Sequence, residues 1–491
     1  MHSKNILFIN RCFWPDSEAT GQLLTELCEF LANRWHVSAV VGQPNWDTES
    51  DGFIKVGTQV RNDVTIHRLA HSQLPKSLRF ARIRNLISFT LAVRKWGRAR
   101  LKAEGLRLKE SNAPSAPTPT PEGNDGDFRE TGSGSRVGFR RIARPAETLG
   151  EFRYLKSIPF LTKGLGRFDS GGDQEQQMER EIVVCETDPF LLPLVVGPMA
   201  RRRNARLVYY LQDIYPDVAV AVGVAKNSFF IRALRNRLKR EYEKADAIIV
   251  LDEDMRDRLV GWGLKPEQLR IVPNWMDCSV VRPIKENNPF RATHQVNDKF
   301  VVMHSGNMGM TQRLDVLVDA MKSMEQPAAS ARGSGDRDAD VVLLLVGNGA
   351  KRKSLEDRAA NSKGIRFLDY QPRDKLSESL SAADLHVVSM DESITGCLAP
   401  SKLYGILASG TPVLAIVPKG NAVWRLVDSE RLGWCVEPGD QQGIVAAIRA
   451  ASVLDRNELI EMGMRGRTLA ERLYDKRVCC EAFEEVIRRL V

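Results

Sequence analysis

Short apolar runs alternate with helix-like stretches along most of the chain, and this alternation narrows the fold more than any other feature. Runs at 4–10, 37–41, 64–69, 181–185, 206–211, 247–251 and 269–272 read as strands, followed by a second series at 300–305, 341–346, 365–368, 385–389 and 412–417. Between them, 21–34 places Leu23, Leu24, Leu27, Phe30 and Leu31 at helical spacing. Further helices are predicted near 190–203, over 227–244, from 254, and over 313–324, 351–360, 373–382 and 401–408. Regular strand–helix alternation predicts an α/β protein with parallel sheets and helices on both faces. Chain order makes two doubly wound, Rossmann-like halves joined near 274–288. Such sheets bind ligands beyond the carboxyl ends of their strands, so two facing halves create a cleft.

Two stretches break the pattern. Residues 110–135 carry four prolines and one large apolar residue, Phe128, too little to offset the entropy of ordering. The insertion is expected to span about 105–180, with 152–160 as a segment that could dock. A shorter one is expected at 326–340. Roughly 400 residues remain, enough for two domains. Their expected bounds are 1–283 and 284–475, with 476–491 a helix that can return to the first.

Of 491 residues, 43% are hydrophobic and 27% charged, as in globular proteins. No apolar run reaches the ~18 residues of a membrane-spanning helix, and the N-terminal stretch does not read as a signal peptide. A cytoplasmic protein is the expectation. The eight cysteines (12, 28, 185, 278, 397, 435, 479, 480) form no Cys-x-x-Cys pair, which suits reduced thiols and argues against zinc. The net charge of +9 is concentrated in 77–102, which holds eight Lys/Arg and no acid. Leu86, Ile87, Phe89, Leu91 and Val93 lie in the same segment. It reads either as a domain helix with a solvated basic face or as a peripheral contact with an anionic inner-membrane leaflet. Nucleic acid is disfavoured, because no basic module interleaved with aromatics is present.

Chemistry concentrates in loops that follow strands of the second half. Ser305-Gly306-Asn307-Met308-Gly309 and Gly347-Asn348-Gly349 each end a strand, and Leu398-Ala399-Pro400-Ser401-Lys402 opens a helix. Glycines let backbone approach a phosphate, and N–H groups at a helix start attract anions. Lys402 adds a full charge, worth about 4 kcal/mol at ~4 Å and an effective dielectric near 20, against ~1 kcal/mol for a helix terminus. Lys402 is therefore the expected principal anion contact. One glycine loop is weak evidence; three at successive strand ends are stronger.

Together with Ala19-Thr20-Gly21-Gln22-Leu23, Leu211-Gln212-Asp213-Ile214-Tyr215-Pro216-Asp217, Val272-Pro273-Asn274-Trp275, Ala383-Asp384-Leu385, Pro400-Ser401-Lys402-Leu403-Tyr404 and Ala408-Ser409-Gly410-Thr411-Pro412, these loops resemble the family 4 (group 1) glycosyltransferases of GT-B fold. The likeness is to the type that acts in colanic-acid and other exopolysaccharide biosynthesis. It implies sugar transfer from a UDP- or GDP-linked donor, with retention, without a metal or other cofactor. The implied acceptor is a lipid-linked saccharide of an exopolysaccharide or surface polysaccharide. The C-terminal half would hold the donor through Gly306, Asn307, Gly309, Arg313, Gly347, Asn348, Gly349, Pro400, Ser401 and Lys402. Thr20, Gly21 and Gln22 would face it from the acceptor side. Gln212, Asp213 and Lys402 are the implied catalytic group, although a turn residue after a strand is the plainer reading of Asp213.

The chain also departs from the family. Where many members carry two glutamates eight residues apart, it has Cys397 and Gly405; Asp391 and Glu392 lie slightly upstream. Where relatives place Arg and Lys after the first glycine loop, it has Asn307 and Gln312, with Arg313 adjacent. Two rivals follow: a sugar-nucleotide 2-epimerase-like isomerase, or a nucleotide-sugar-binding protein without catalysis. Asp252-Glu253-Asp254 reads as a helix cap rather than a metal triplet. His304 is open between cleft and core.

Overall fold

Two parallel sheets organise the computed structural model, which describes residues 4–16, 18–44, 56–74, 81–111, 180–325 and 340–491. The expected insertions, including 152–160, lie almost wholly outside the described residues. The helix Ala81–Ser111 runs past position 105, where the insertion was expected to begin. Its sequence beyond 101 is rich in Leu, Arg, Lys and Glu, all good helix formers.

The first sheet has the order β3-β4-β2-β1-β5-β6-β7-β8. Its strands are β1 (Asn5–Ile9), β2 (His36–Val41), β3 (Gly57–Arg61), β4 (Val64–Arg68), β5 (Ile182–Glu186), β6 (Arg206–Tyr210), β7 (Ala247–Val250) and β8 (Leu269–Ile271). All pairings are parallel except β3 with β4. The sequence reading missed β3 because Gly-Thr-Gln-Val-Arg lacks an apolar run. Its signal was the two-residue turn Asn62-Asp63, both at positive φ (43° and 61°), as a tight hairpin requires.

The second sheet has the order β11-β10-β9-β12-β13-β14, all parallel. Its strands are β9 (Phe300–Ser305), β10 (Val341–Val346), β11 (Ile365–Leu368), β12 (Leu385–Ser389), β13 (Val413–Ile416) and β14 (Gly433–Val436). Alternate residues of its strands pack against helices on opposite sides. Leu343, Leu345, Leu385 and Leu414 meet Leu317 and Ile448 in one core cluster. Val388, Val413 and Ala415 meet Leu403 and Leu407 in another.

The chain crosses between the sheets twice. Residues 272–288 lead out of β8, and the helix Lys476–Arg488 leads back. Phe483 of that helix lies 6.1 Å from the ring of Phe8 and 5.3 Å from that of Tyr210, on the first sheet. The crossings run side by side: Met276 N–H donates to Tyr474 O and Lys476 N–H to Met276 O. Arg467 ties them together. Its buried guanidinium donates to Val281 O (2.6 Å), Cys278 O (2.7 Å) and Ala408 O (2.7 Å). Arg467→Met would leave three carbonyls without this donor, so a loss of about 3 kcal/mol is expected. Urea denaturation reads it; a loss below ~1 kcal/mol would show that solvent replaces the donor.

Candidate active site

Strand ends from both sheets converge on a cavity of about 240 Å3. Thr20, Leu23, Gln212, Asp213 and Asn274 line it from the first half, and Asn307, Gln312, Met390, Pro400, Ser401 and Lys402 from the second.

On the first side, β6 runs straight into Gln212 and Asp213. The segment is zipped to the other half: Asp213 forms an antiparallel bridge with Leu398, and Ile214 N–H donates to Cys397 O at 2.7 Å. Gln212 is held by Asn274, whose Nδ2 donates to Gln212 Oε1 at 2.8 Å. Tyr210 OH in turn donates to Asn274 Oδ1 at 3.1 Å. Burial, then the charge of Asp188, pushes the Asp213 carboxyl up to about 6. Behind it, burial and then Asp188 push the Glu186 carboxyl, at the end of β5, well above the usual carboxylate range.

On the second side, β9 ends at Ser305 and Gly306 turns with φ +121°. Three amides of this loop are already engaged. Gly306 N–H donates to Val346 O (2.8 Å), Met308 N–H to Asn348 O (2.8 Å) and Gly309 N–H to Gln312 Oε1 (2.9 Å). Gly347 and Gly349 let the neighbouring loop nest against it: a Cβ at 347 would fall 2.2 Å from Gly306 O, and one at 349 would fall 2.5 Å from Met308 O. Neither Gly309 nor the Gly347-Asn348-Gly349 turn lines the cavity. The cation is therefore the feature that stands out. Lys402, the first residue of the helix Lys402–Ala408, lays its stem over Gly306; a Cβ there would sit 2.8 Å from Lys402 Cε. Its ammonium has no hydrogen bond or ion pair among the described residues, and burial alone lowers its pKa to about 8.

The remaining candidates fall elsewhere. Gly21 is buried inside the helix Ala19–Ala32, where a Cβ would come within 3.1 Å of Phe13 N; neither it nor Gln22 lines the cavity. Arg313 faces Asp315 (3.6 Å) and Asp391 (3.8 Å), so two groups considered as substitutes for family contacts neutralise each other. Asp391 also caps a short turn by accepting from Ser393 N–H at 3.0 Å. Cys397 is buried, and a Cβ at Gly405 would meet Met276 Cε at 3.2 Å and Leu380 Cδ1 at 3.3 Å. Both positions are given over to packing, which leaves no room for carboxylates. His304 is fully buried; burial and then Lys402 lower its pKa to about 3. Asp252 caps the helix Glu253–Gly261, accepting from Met255 N–H at 2.8 Å. Glu253 and Asp254 reach across to Arg425 of the second half at 2.9 and 3.1 Å.

Sequence reasoning assigned no role to Asn274, Glu186 or Glu26. Glu186 had a signal, the single charged residue of an otherwise apolar strand. Glu26 accepts from Trp275 Nε1 at 2.9 Å and pairs with Arg373 of the second half. Among the described residues one group could hold a metal ion: Cys12, Glu18 and Asp188. Arg11 already bridges its two carboxylates, at 3.4 and 2.9 Å.

Family models agree with this architecture. Residues 299–452 match the group 1 glycosyl transferases, and residues 115–275 match the glycosyl transferase 4-like domain. The chain is 26% identical over 313 residues to the probable glycosyltransferase WbjE of Pseudomonas aeruginosa, covering 63% of this chain and 75% of that one. It is 24% identical over 303 residues to the putative colanic acid biosynthesis glycosyl transferase WcaI of Escherichia coli K12, covering 60% and 68%. Anabaena HepE, solved in complex with UDP, shares the fold with a TM-score of 0.60 at 13% identity, over 99% of this chain and 100% of that one. With a matching domain in each half and two facing Rossmann-like sheets, the chain belongs to the group 1, family 4 glycosyltransferases of GT-B fold.

Proposed function

We propose that the cavity binds a UDP- or GDP-linked sugar and passes the sugar, with retention, to a lipid-linked saccharide in exopolysaccharide or surface-polysaccharide synthesis. The observation that carries this reading is the unpaired Lys402 ammonium, which lines the cavity from one half while Gln212 and Asp213 line it from the other. The names of WcaI and of UDP-bound HepE support the pathway and the donor class.

In the proposed reaction the bond from the sugar's anomeric carbon to the diphosphate breaks. The acceptor oxygen bonds to that carbon on the same face, and the departing diphosphate oxygen takes the acceptor's proton. Lys402 meets the negative charge that develops on the leaving group. Asp213, ionised above pH ~6, accepts hydrogen bonds from sugar hydroxyls and orients the ring. Among the described residues Asp213 is the one carboxylate lining the cavity, and in this reading Lys402 supplies the charge that neutralises the diphosphate.

Among the described residues no helix is long and apolar enough to cross a membrane. The helix Ala81–Ser111 instead exposes Ile83 (55%) and Leu91 (55%), with Ile87 and Arg84 exposed between them. This stripe is proposed to rest on the anionic inner face of the cell membrane, where each Lys or Arg adds about 1 kcal/mol.

Incubating the protein with UDP- and GDP-sugars, with and without a bacterial lipid extract as acceptor, tests the function. Nucleotide diphosphate release that depends on the extract is expected. An epimerised nucleotide sugar formed without acceptor would instead identify an isomerase, and binding without consumption a non-catalytic protein.

A further inference from the structure

The loop after Val222 and the first turns of the helix Phe229–Tyr242 leave large apolar groups uncovered, and no part of the proposed reaction uses them. Val224 is 81% exposed, Phe229 71% and Phe230 81%. The two rings meet edge to face at 5.9 Å, forming one projecting apolar tip. Contiguous exposed apolar surface of this kind marks a binding site more often than chance.

The surroundings say what binds there. Lys226, Arg232, Arg237 and Arg240 are exposed, and none forms an ion pair among the described residues. Between Asp217 and Glu241 the chain contains no carboxylate, and Asp217 is itself engaged by Arg235 at 2.6 Å. Aromatic groups that project beside several cations unpaired with any acid among the described residues fit an anionic bilayer: the rings enter the headgroup boundary while the charges remain with the lipid phosphates. The run of cations with no carboxylate from 218 to 240 favours a uniformly anionic surface over a protein surface of mixed charge.

The position matters as well. The patch begins within about ten residues of Asp213. The intervening turn reaches the second half, where Ser393 Oγ donates to Ala221 O at 3.1 Å. Ala221 and Val222 pack in the same cluster as Met390 and Ile394, which line the cavity.

We propose that Val224, Phe229 and Phe230, with their collar of Lys226, Arg232 and Arg237, form a docking surface for an anionic lipid bilayer beside the cleft. The inference rests on the reading of a lipid-linked acceptor and adds a second contact, distinct from the helix Ala81–Ser111.

Co-sedimentation of the full chain with phosphatidylcholine vesicles, with and without phosphatidylglycerol, tests it. Wild-type protein is expected on the phosphatidylglycerol vesicles. A Phe229→Ser/Phe230→Ser variant should bind them at least about tenfold more weakly, with unchanged melting temperature and UDP or GDP affinity. Arg232→Glu/Arg237→Glu should give the same loss and serves if the first variant does not fold. Unchanged vesicle binding in both variants would overturn the proposal. So would a wild-type dimer that dissociates in the variants while vesicle binding persists, because the surface would then receive a second copy of the chain. Nucleotide-sugar consumption measured in the same samples keeps the two readings separable. Its absence in wild type, despite vesicle binding, counts against the function and not against the surface.

Discussion

Lys402→Ala is expected to lower kcat/KM for nucleotide-sugar consumption by about 10²- to 10³-fold, the range seen when one preorganised donor to a developing negative charge is lost. Neighbouring amides offer little compensation, because those of Gly306, Met308 and Gly309 already serve other acceptors. Gly306→Ala should approach the same loss by another route, since the new Cβ would stand 2.8 Å from Lys402 Cε and displace the stem. Misfolding predicts the opposite stability change. A lysine whose pKa falls to about 8 on folding is a charge held at a cost, so the folded state should gain stability as pH rises from about 8 toward the unfolded value of ~10.4. Lys402→Ala should therefore melt at the same temperature as wild type or higher at pH 7. Donor affinity in wild type should decline as pH rises through about 8, and Lys402→Ala should show no such decline.

Asp213→Asn should keep donor binding and lose transfer by about 10²-fold or more, because in the proposed reaction this half-buried cavity group acts through orientation of the sugar. Wild-type activity is expected to rise through pH ~6 as the carboxyl ionises, and the Asn variant should lack that limb. Stability should move the other way. A carboxyl raised from ~3.9 to about 6 on folding favours the native state fully below the lower value, and this is lost as pH rises through the higher one. Asp213→Asn should then be no less stable than wild type at pH 7. Equal pH profiles for the two proteins would remove Asp213 from the reaction.

The parallel framework was legible because buried strands such as β10, Val-Val-Leu-Leu-Leu-Val, are apolar on both faces. The edges were not. β3 carries one apolar residue in five, and β14, Gly-Trp-Cys-Val, is too short to stand out from its surroundings. Within the site, Lys402 and Asp213 were visible because they follow strand ends, where ligands of this fold class gather. The state of the Gly306 loop was hidden, because its amides are taken by Val346 at the end of β10, by Asn348 in the turn that follows and by the side chain of Gln312. Gly347 and Gly349 looked like phosphate-facing residues, yet they serve loop-to-loop contact. Arg313 and Asp391 looked like separate candidates until folding brought them together. Such pairings depend on distant segments, which local pattern does not encode.

Titration calorimetry with UDP against UMP, and GDP against GMP, on wild type and Lys402→Ala isolates the second phosphate. Wild type should bind one diphosphate at least about tenfold more tightly than its monophosphate, and the variant should bind the two nearly alike. The same diphosphate preference in both proteins, or none in wild type, would mean that Lys402 does not receive the leaving group.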